Sequence, residues 1–182
     1  MANTGDSHFS LSELARQVGV TPAAAYKHFA DKETLLAELA QHGFGRLRER
    51  FEAAAPQAKP AKTVAQAKQR FERIGKAYVQ FGLEEPALFN LIFGKAAASF
   101  RQQALSGLAP EQRTPTFAYF ANALEDLHAF GIIAVAPTAP AQWFAWSAIH
   151  GATELHIAGI NALVSPSQSA RVITAHIIKA LQ

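Results

Sequence analysis

The chain has 182 residues, 49% of them apolar, no cysteine and a formal charge of +3. That length can fold as one large domain or two small ones around a real core. The lack of cysteine excludes disulfides and thiolate metal sites, fits a reducing compartment, and makes a cytoplasmic location the expectation. No basic segment followed by an apolar run opens the chain, so no secretion signal is visible. The most apolar stretch, Ala139–Val164, carries Gln142, His150, Glu154, His156 and Asn161. Those are too many polar groups for the roughly 20 lipid-facing residues of a membrane span, so no membrane partner is expected. The charge is uneven: residues 1–50 hold six basic and six acidic side chains, residues 51–100 seven and four, residues 101–182 four and four. Net charge alone therefore does not point to nucleic acid.

Punctuation in chain order predicts the elements. Ser10-Leu-Ser-Glu13 has the form of a capping box and opens a short helix to Gln17, stopped by Gly19. Thr21-Pro22 opens a second, with Thr as N-cap and Pro at the first helical position, where a missing N–H costs nothing. Asp31 caps a third, whose apolar residues Leu35, Leu36, Leu39, Phe44, Leu47 and Phe51 keep helical spacing to about Ala54. A linker, 56–60, follows. Further helices are expected near 62–82, 86–93, 96–106, 111–130, 140–163 and 166–181, with Gly131 as a stop after Phe130. No segment alternates over strand length and no repeat recurs at a fixed period, so the fold class is all-α.

The first two helices and their tight turn, Leu11 to Phe29, suit a helix-turn-helix, in which one short helix enters the major groove while its partner crosses the backbone. Leu14, Ala15, Val20, Ala25 and Phe29 stand where the angle between them would be packed. On packing pattern alone, a plain αα-hairpin fits as well.

The continuation is more specific. Gly19-Val-Thr21, then Tyr26-Lys-His-Phe29, then Asp31-Lys-Glu33 and Leu35-Leu36 resembles the head of the TetR family of transcriptional regulators, over residues 9 to about 44. The resemblance implies a helix-turn-helix head at 1–50 and a helical ligand-binding and dimerisation domain at 51–182. It implies phosphate contacts by Tyr26, His28 and Lys32, a backbone contact by Thr21, and groove-facing positions at Pro22, Ala23, Ala24 and Lys27. Pro22, Ala23 and Ala24 offer no side-chain donor or acceptor, so Lys27 and Ser12 are the polar candidates for base edges. Operator choice is then expected to lean on DNA shape and phosphate geometry. In the family a further helix precedes this turn; here Met1–His8 precedes Phe9. The expectation is a head lacking that wall and poor operator binding by these 182 residues, with a helical dimeric sensor without functional DNA binding as the alternative.

Trp143-Phe-Ala-Trp146-Ser-Ala-Ile-His150-Gly151 and Glu85-Pro-Ala-Leu-Phe89-Asn-Leu-Ile-Phe93-Gly94 resemble the C-terminal half of one TetR subgroup. The resemblance implies a small-molecule effector held by the middle helices and a homodimer through the last two. Trp143, Trp146, His150 and Glu154 share one helical stripe, and Tyr78, Phe81, Phe89, Phe93, Phe117 and Phe120 could complete an apolar pocket. Such a stripe is equally ordinary core. His150 and Glu154 stand at metal-ligand spacing, but a third and fourth ligand are not evident. His42, His128, His156 and His176 read as surface or interface residues. No nucleophile elbow, phosphate cradle or carboxylate pair suggests an enzyme, and no cofactor is expected. The expected partners are double-stranded operator DNA, an effector of unspecified chemistry and a second copy of the chain.

Overall fold

The computed structural model describes residues 10–94, 115–160 and 164–182. All regular structure among them is helical: α1 Leu11–Gln17, α2 Pro22–His28, α3 Lys32–Ala54, α4 Val64–Glu84, α5 Pro86–Phe93, α6 Pro115–Ala129, α7 Ala139–Ile157 and α8 Pro166–Ala180. The all-α expectation is met. The helix expected at 96–106, the opening of the one expected from 111, and residues 1–9 lie outside the described residues. No helix among the described residues is long and apolar enough to cross a membrane.

Helix starts follow from side-chain oxygens placed to take orphan N–H groups. Ser10 Oγ accepts from Glu13 N at 3.1 Å while the Glu13 carboxylate accepts from Ser10 N at 2.7 Å, completing the capping box. Thr63 and Ser165 do the same for α4 and α8, accepting from Gln66 N at 3.2 Å and Gln168 N at 3.3 Å. Each cap contributes about 1 kcal/mol.

One helix end differs from the sequence expectation. α7 stops at Ile157, not at Leu163. Gly159 takes φ +70, the N–H of Ile160 reaches back to the Leu155 carbonyl at 3.0 Å, and that of Gly159 to His156 at 3.0 Å. This Schellman closure satisfies carbonyls that a continuing helix would have paired otherwise. Apolar composition continues past this point, but the glycine decides where the helix ends.

The described chain divides into two compact units. The first takes residues 10–44 and 87–94. In it α1 packs on α2, burying Leu11 and Ala15, and α5 meets the middle of α3, where Phe93 lies edge-on to Phe44 at 5.9 Å, with Phe89 4.9 Å from Phe93. Val18 and Val20 stay exposed, so Val20 does not pack the helix angle as its position suggests.

The second unit takes residues 45–86, 115–160 and 164–182. Its hub is α4, which packs against α6, α7 and α8 and buries residues around most of its circumference, among them Phe71, Ile74, Ala77, Tyr78, Val79 and Phe81. A helix buried on several faces is a core element, not a surface one. Gly75 lets α8 approach: a Cβ there would meet Thr174 Cγ2 at 2.7 Å.

Candidate nucleic-acid interface and aromatic cluster

In the head, the turn between α1 and α2 closes with Gly19 at φ 78 and Val20 N bonded to the Ala15 carbonyl at 2.9 Å. Thr21 Oγ1 then accepts from Ala24 N at 3.2 Å, with Pro22 in the first helical turn. Asp31 accepts from both the N–H and the hydroxyl of Thr34 at 2.7 Å, which holds its carboxyl below the usual range and fixes the start of α3. These caps set where the exposed side chains stand. α2 presents Ala23, Tyr26 and Lys27, spaced three and four apart, on one exposed face, with Thr21 and His28 exposed at its ends. Pro22, Ala24 and Ala25 are half-buried, as are Ser12 on α1 and Lys32 at the first residue of α3. Tyr26 is 51% exposed, leaving its hydroxyl available to a partner outside the fold.

In the second unit, aromatic rings from four helices converge. Trp146 on α7 lies 4.9 Å from Tyr78 on α4, 5.2 Å from Phe120 and 5.5 Å from Phe117 on α6. Phe51 on α3 stacks toward Tyr78 at 6.3 Å and meets Phe120 at 5.7 Å. Tyr78, Phe120, Phe51 and Phe71 are fully buried. Each such ring contributes roughly 2–3 kcal/mol by its removal from water.

The cluster has one polar seam. The Tyr78 hydroxyl and His150 Nδ1 are 2.8 Å apart, and His150 Nε2 lies 3.8 Å from the Glu154 carboxylate. Burial first, then the Glu154 charge, pushes the Tyr78 phenol well above its ordinary pKa. Burial pulls the His150 imidazole down, partly opposed by Glu154. The shift favours the neutral imidazole, which accepts or donates according to its tautomer.

Of the expected pocket residues, Tyr78, Phe117, Phe120, Trp146 and His150 come together, with Glu154 beside His150. Trp143 touches Phe117 at 6.0 Å but stands 62% exposed, at the edge of the cluster and not inside it. Phe89 and Phe93 belong to the other unit. A cleft of about 630 Å³ lies elsewhere, between residues 54–62 and the first turns of α4. No group of three potential metal ligands occurs among the described residues.

Sequence reasoning missed three features whose partners lie far apart in the chain. Arg46 and Arg50 on α3 hold Glu85 at 3.0 and 2.9 Å and depress its carboxyl, Arg46 most strongly. Arg70 pairs with Asp126 at 2.9 Å, almost out of solvent. Tyr119 donates to Glu52 at 2.6 Å, and burial with that bond raises its phenol to about 12. No local spacing signals pairs separated by 35 to 67 positions.

Residues 71–180 match the model of the tetracyclin repressor-like C-terminal domain, and residues 2–39 match that of bacterial regulatory proteins of the tetR family. The chain belongs to the TetR family. Membership makes it a DNA-binding transcriptional regulator and points away from catalysis. Among solved structures, a protein of unknown function from Rhodococcus sp. RHA1 is 26% identical with a TM-score of 0.73, the alignment covering 98% of this chain and 88% of that one. The TetR family transcriptional regulator PfmR from Thermus thermophilus is 22% identical, TM-score 0.60, covering 96% and 90%. A TetR family transcription regulator from Marinobacter aquaeolei VT8 is 17% identical, TM-score 0.69, covering 97% and 86%. The latter two share the fold. No curated protein matches.

Proposed function

We propose that this TetR-family chain is a cytoplasmic, ligand-responsive repressor that binds operator DNA as a homodimer, residues 1–50 meeting the DNA and residues 51–182 taking the ligand and the second subunit. The observation that carries the reading is the capped helix pair α1–α2, which presents Ala23, Tyr26 and Lys27 on one exposed face, with Thr21 and His28 exposed at its ends and the half-buried Lys32 following at the start of α3. Ser12, Pro22 and Ala24 complete the proposed interface. Tyr26, His28 and Lys32 take phosphates, Lys27 and Ser12 reach base edges, and the small residues let the backbone approach the groove.

Dimerisation is supported by α7, whose Phe144, Ala148, Gly151 and Leu155 recur at helical spacing, with Phe144 and Leu155 nearly half exposed and no atom within 4 Å of where a Gly151 Cβ would sit. A second copy packing there places two heads on successive major grooves, about 34–36 Å apart. The effector reading is supported by the aromatic cluster with its Tyr78–His150–Glu154 seam, an apolar lining with few polar groups. Its entry must part rings that now touch, and the resulting helix shift is the signal passed along α3. Such coupling requires the effector to bind one head spacing better than the other.

Selection from a random duplex library with the full chain tests the reading. The expected result is enrichment, however weak, of a two-fold symmetric site with half-sites one helical turn apart. Enrichment of no sequence, or of an asymmetric single half-site, refutes it.

A further inference from the structure

The surplus positive charge of the chain falls at residues 51–100, beyond the first fifty residues in sequence, and the cleft beside α4 collects four of those cations. Its lining is Ala54, Ala55, Pro56, Ala58, Pro60 and Ala61 on the apolar side, with Lys59, Lys62, Arg70 and Arg73 among Gln66 and Gln69. No carboxylate lines it. Lys59, Lys62 and Arg73 make no ion pair among the described residues.

Arg70 is different, with 8% of its side chain exposed. Nη1 donates to Asp126, which also receives the Ala61 N–H at 3.4 Å, and the Nε donor is buried with no partner. A buried donor without an acceptor is costly, about 1–3 kcal/mol. It is seldom left so unless something outside the fold can take it. Asp126 and the exposed Glu52 border this cleft and are already engaged, Asp126 by Arg70 and the Ala61 N–H, Glu52 by Tyr119 and the Gln57 N–H.

We propose that this cleft binds a small organic anion, a carboxylate or phosphate carried on an apolar body. The anion faces Lys59, Lys62 and Arg73, and a modest turn of the Arg70 fork brings its unused donor onto the same oxygens. The apolar body lies along the alanine and proline wall. The volume, about 630 Å³, falls within the usual span of small-molecule sites, roughly 300–1,000 Å³. The site is separate from the aromatic cluster, so the inference goes beyond the effector reading and does not depend on it.

Titration calorimetry of the full chain with octyl phosphate, octanoate, octanol and inorganic phosphate tests it. Octyl phosphate and octanoate are expected to bind at one site per chain, at least tenfold tighter than octanol or inorganic phosphate. Lys62→Gln combined with Arg73→Gln, both at exposed positions, should weaken that binding at least tenfold with the circular dichroism spectrum unchanged. Arg70→Lys, which keeps a charge facing Asp126 but removes the Nε donor, should weaken it too. No saturable heat with either anion, equal binding of octanol, equal binding of inorganic phosphate, or undiminished affinity in the double variant would overturn the proposal. Because none of these readouts involves DNA, failure here leaves the regulator reading untouched, and failure of operator selection leaves this one untouched.

Discussion

Asp126→Ala tests how the second unit tolerates a nearly buried charge that has lost its partner. Asp126 sits on α6 and holds Arg70 of α4 at 2.9 Å, with 16% and 8% of the two side chains exposed. Removing the carboxylate leaves a guanidinium that cannot lose its proton and that meets solvent only through the 8% of the side chain exposed at the cleft. Breaking a buried pair from one side costs about 3–5 kcal/mol. The Ala61 N–H loses its acceptor as well, but at 3.4 Å that bond is long and adds little. The residual exposure of Asp126 lets some water in, so the lower end, about 3 kcal/mol, is expected. Urea unfolding followed by circular dichroism reads this as a lower midpoint with an unchanged slope. The double replacement Arg70→Met with Asp126→Leu should recover most of the loss, since two apolar side chains of similar volume leave no stranded charge. A single-variant loss below about 1 kcal/mol, the range of a solvated pair, or a double variant as unstable as the single one, would show that this reasoning fails.

The head, the dimer face and the polar seam give three more. Lys32→Ala should weaken binding to all duplexes alike and lower the salt slope by about one counterion, and Tyr26→Phe should weaken it without changing sequence preference; altered preference at unchanged nonspecific affinity would refute both phosphate assignments. Leu155→Glu, at a position 45% exposed in the single chain, should shift sedimentation from dimer to folded monomer, and an unchanged dimer would place the interface elsewhere. Stability should fall as pH drops below the ordinary imidazole value of 6.5, because the folded His150 resists a proton that the unfolded chain takes up. His150→Gln should flatten that part of the profile, and an identical slope in the variant would show that other groups carry it.

What could be read from the residues alone was local. The capping box at Ser10, the Thr21-Pro22 start, the Asp31 cap and the Gly19 stop are decided within four or five residues, by side-chain oxygens, a ring-locked φ and a missing Cβ. They place the candidate DNA-facing residues with little help from the rest of the chain. Helical spacing likewise announced α3 and the stripe along α7. Spacing could not say which aromatic residues meet: Trp143 and Trp146 share a stripe, yet only Trp146 enters the cluster, because Tyr78 and Phe120 come from helices 68 and 26 positions away. Nor could it say that Phe89 and Phe93 pack with Phe44 in the other unit. The linker 56–60 read as mere connection, and only the packing of α4 beside it makes one wall of a charged cleft. Charge pairing and pocket shape depend on which surfaces meet across long loops, and that is settled only when the helices pack.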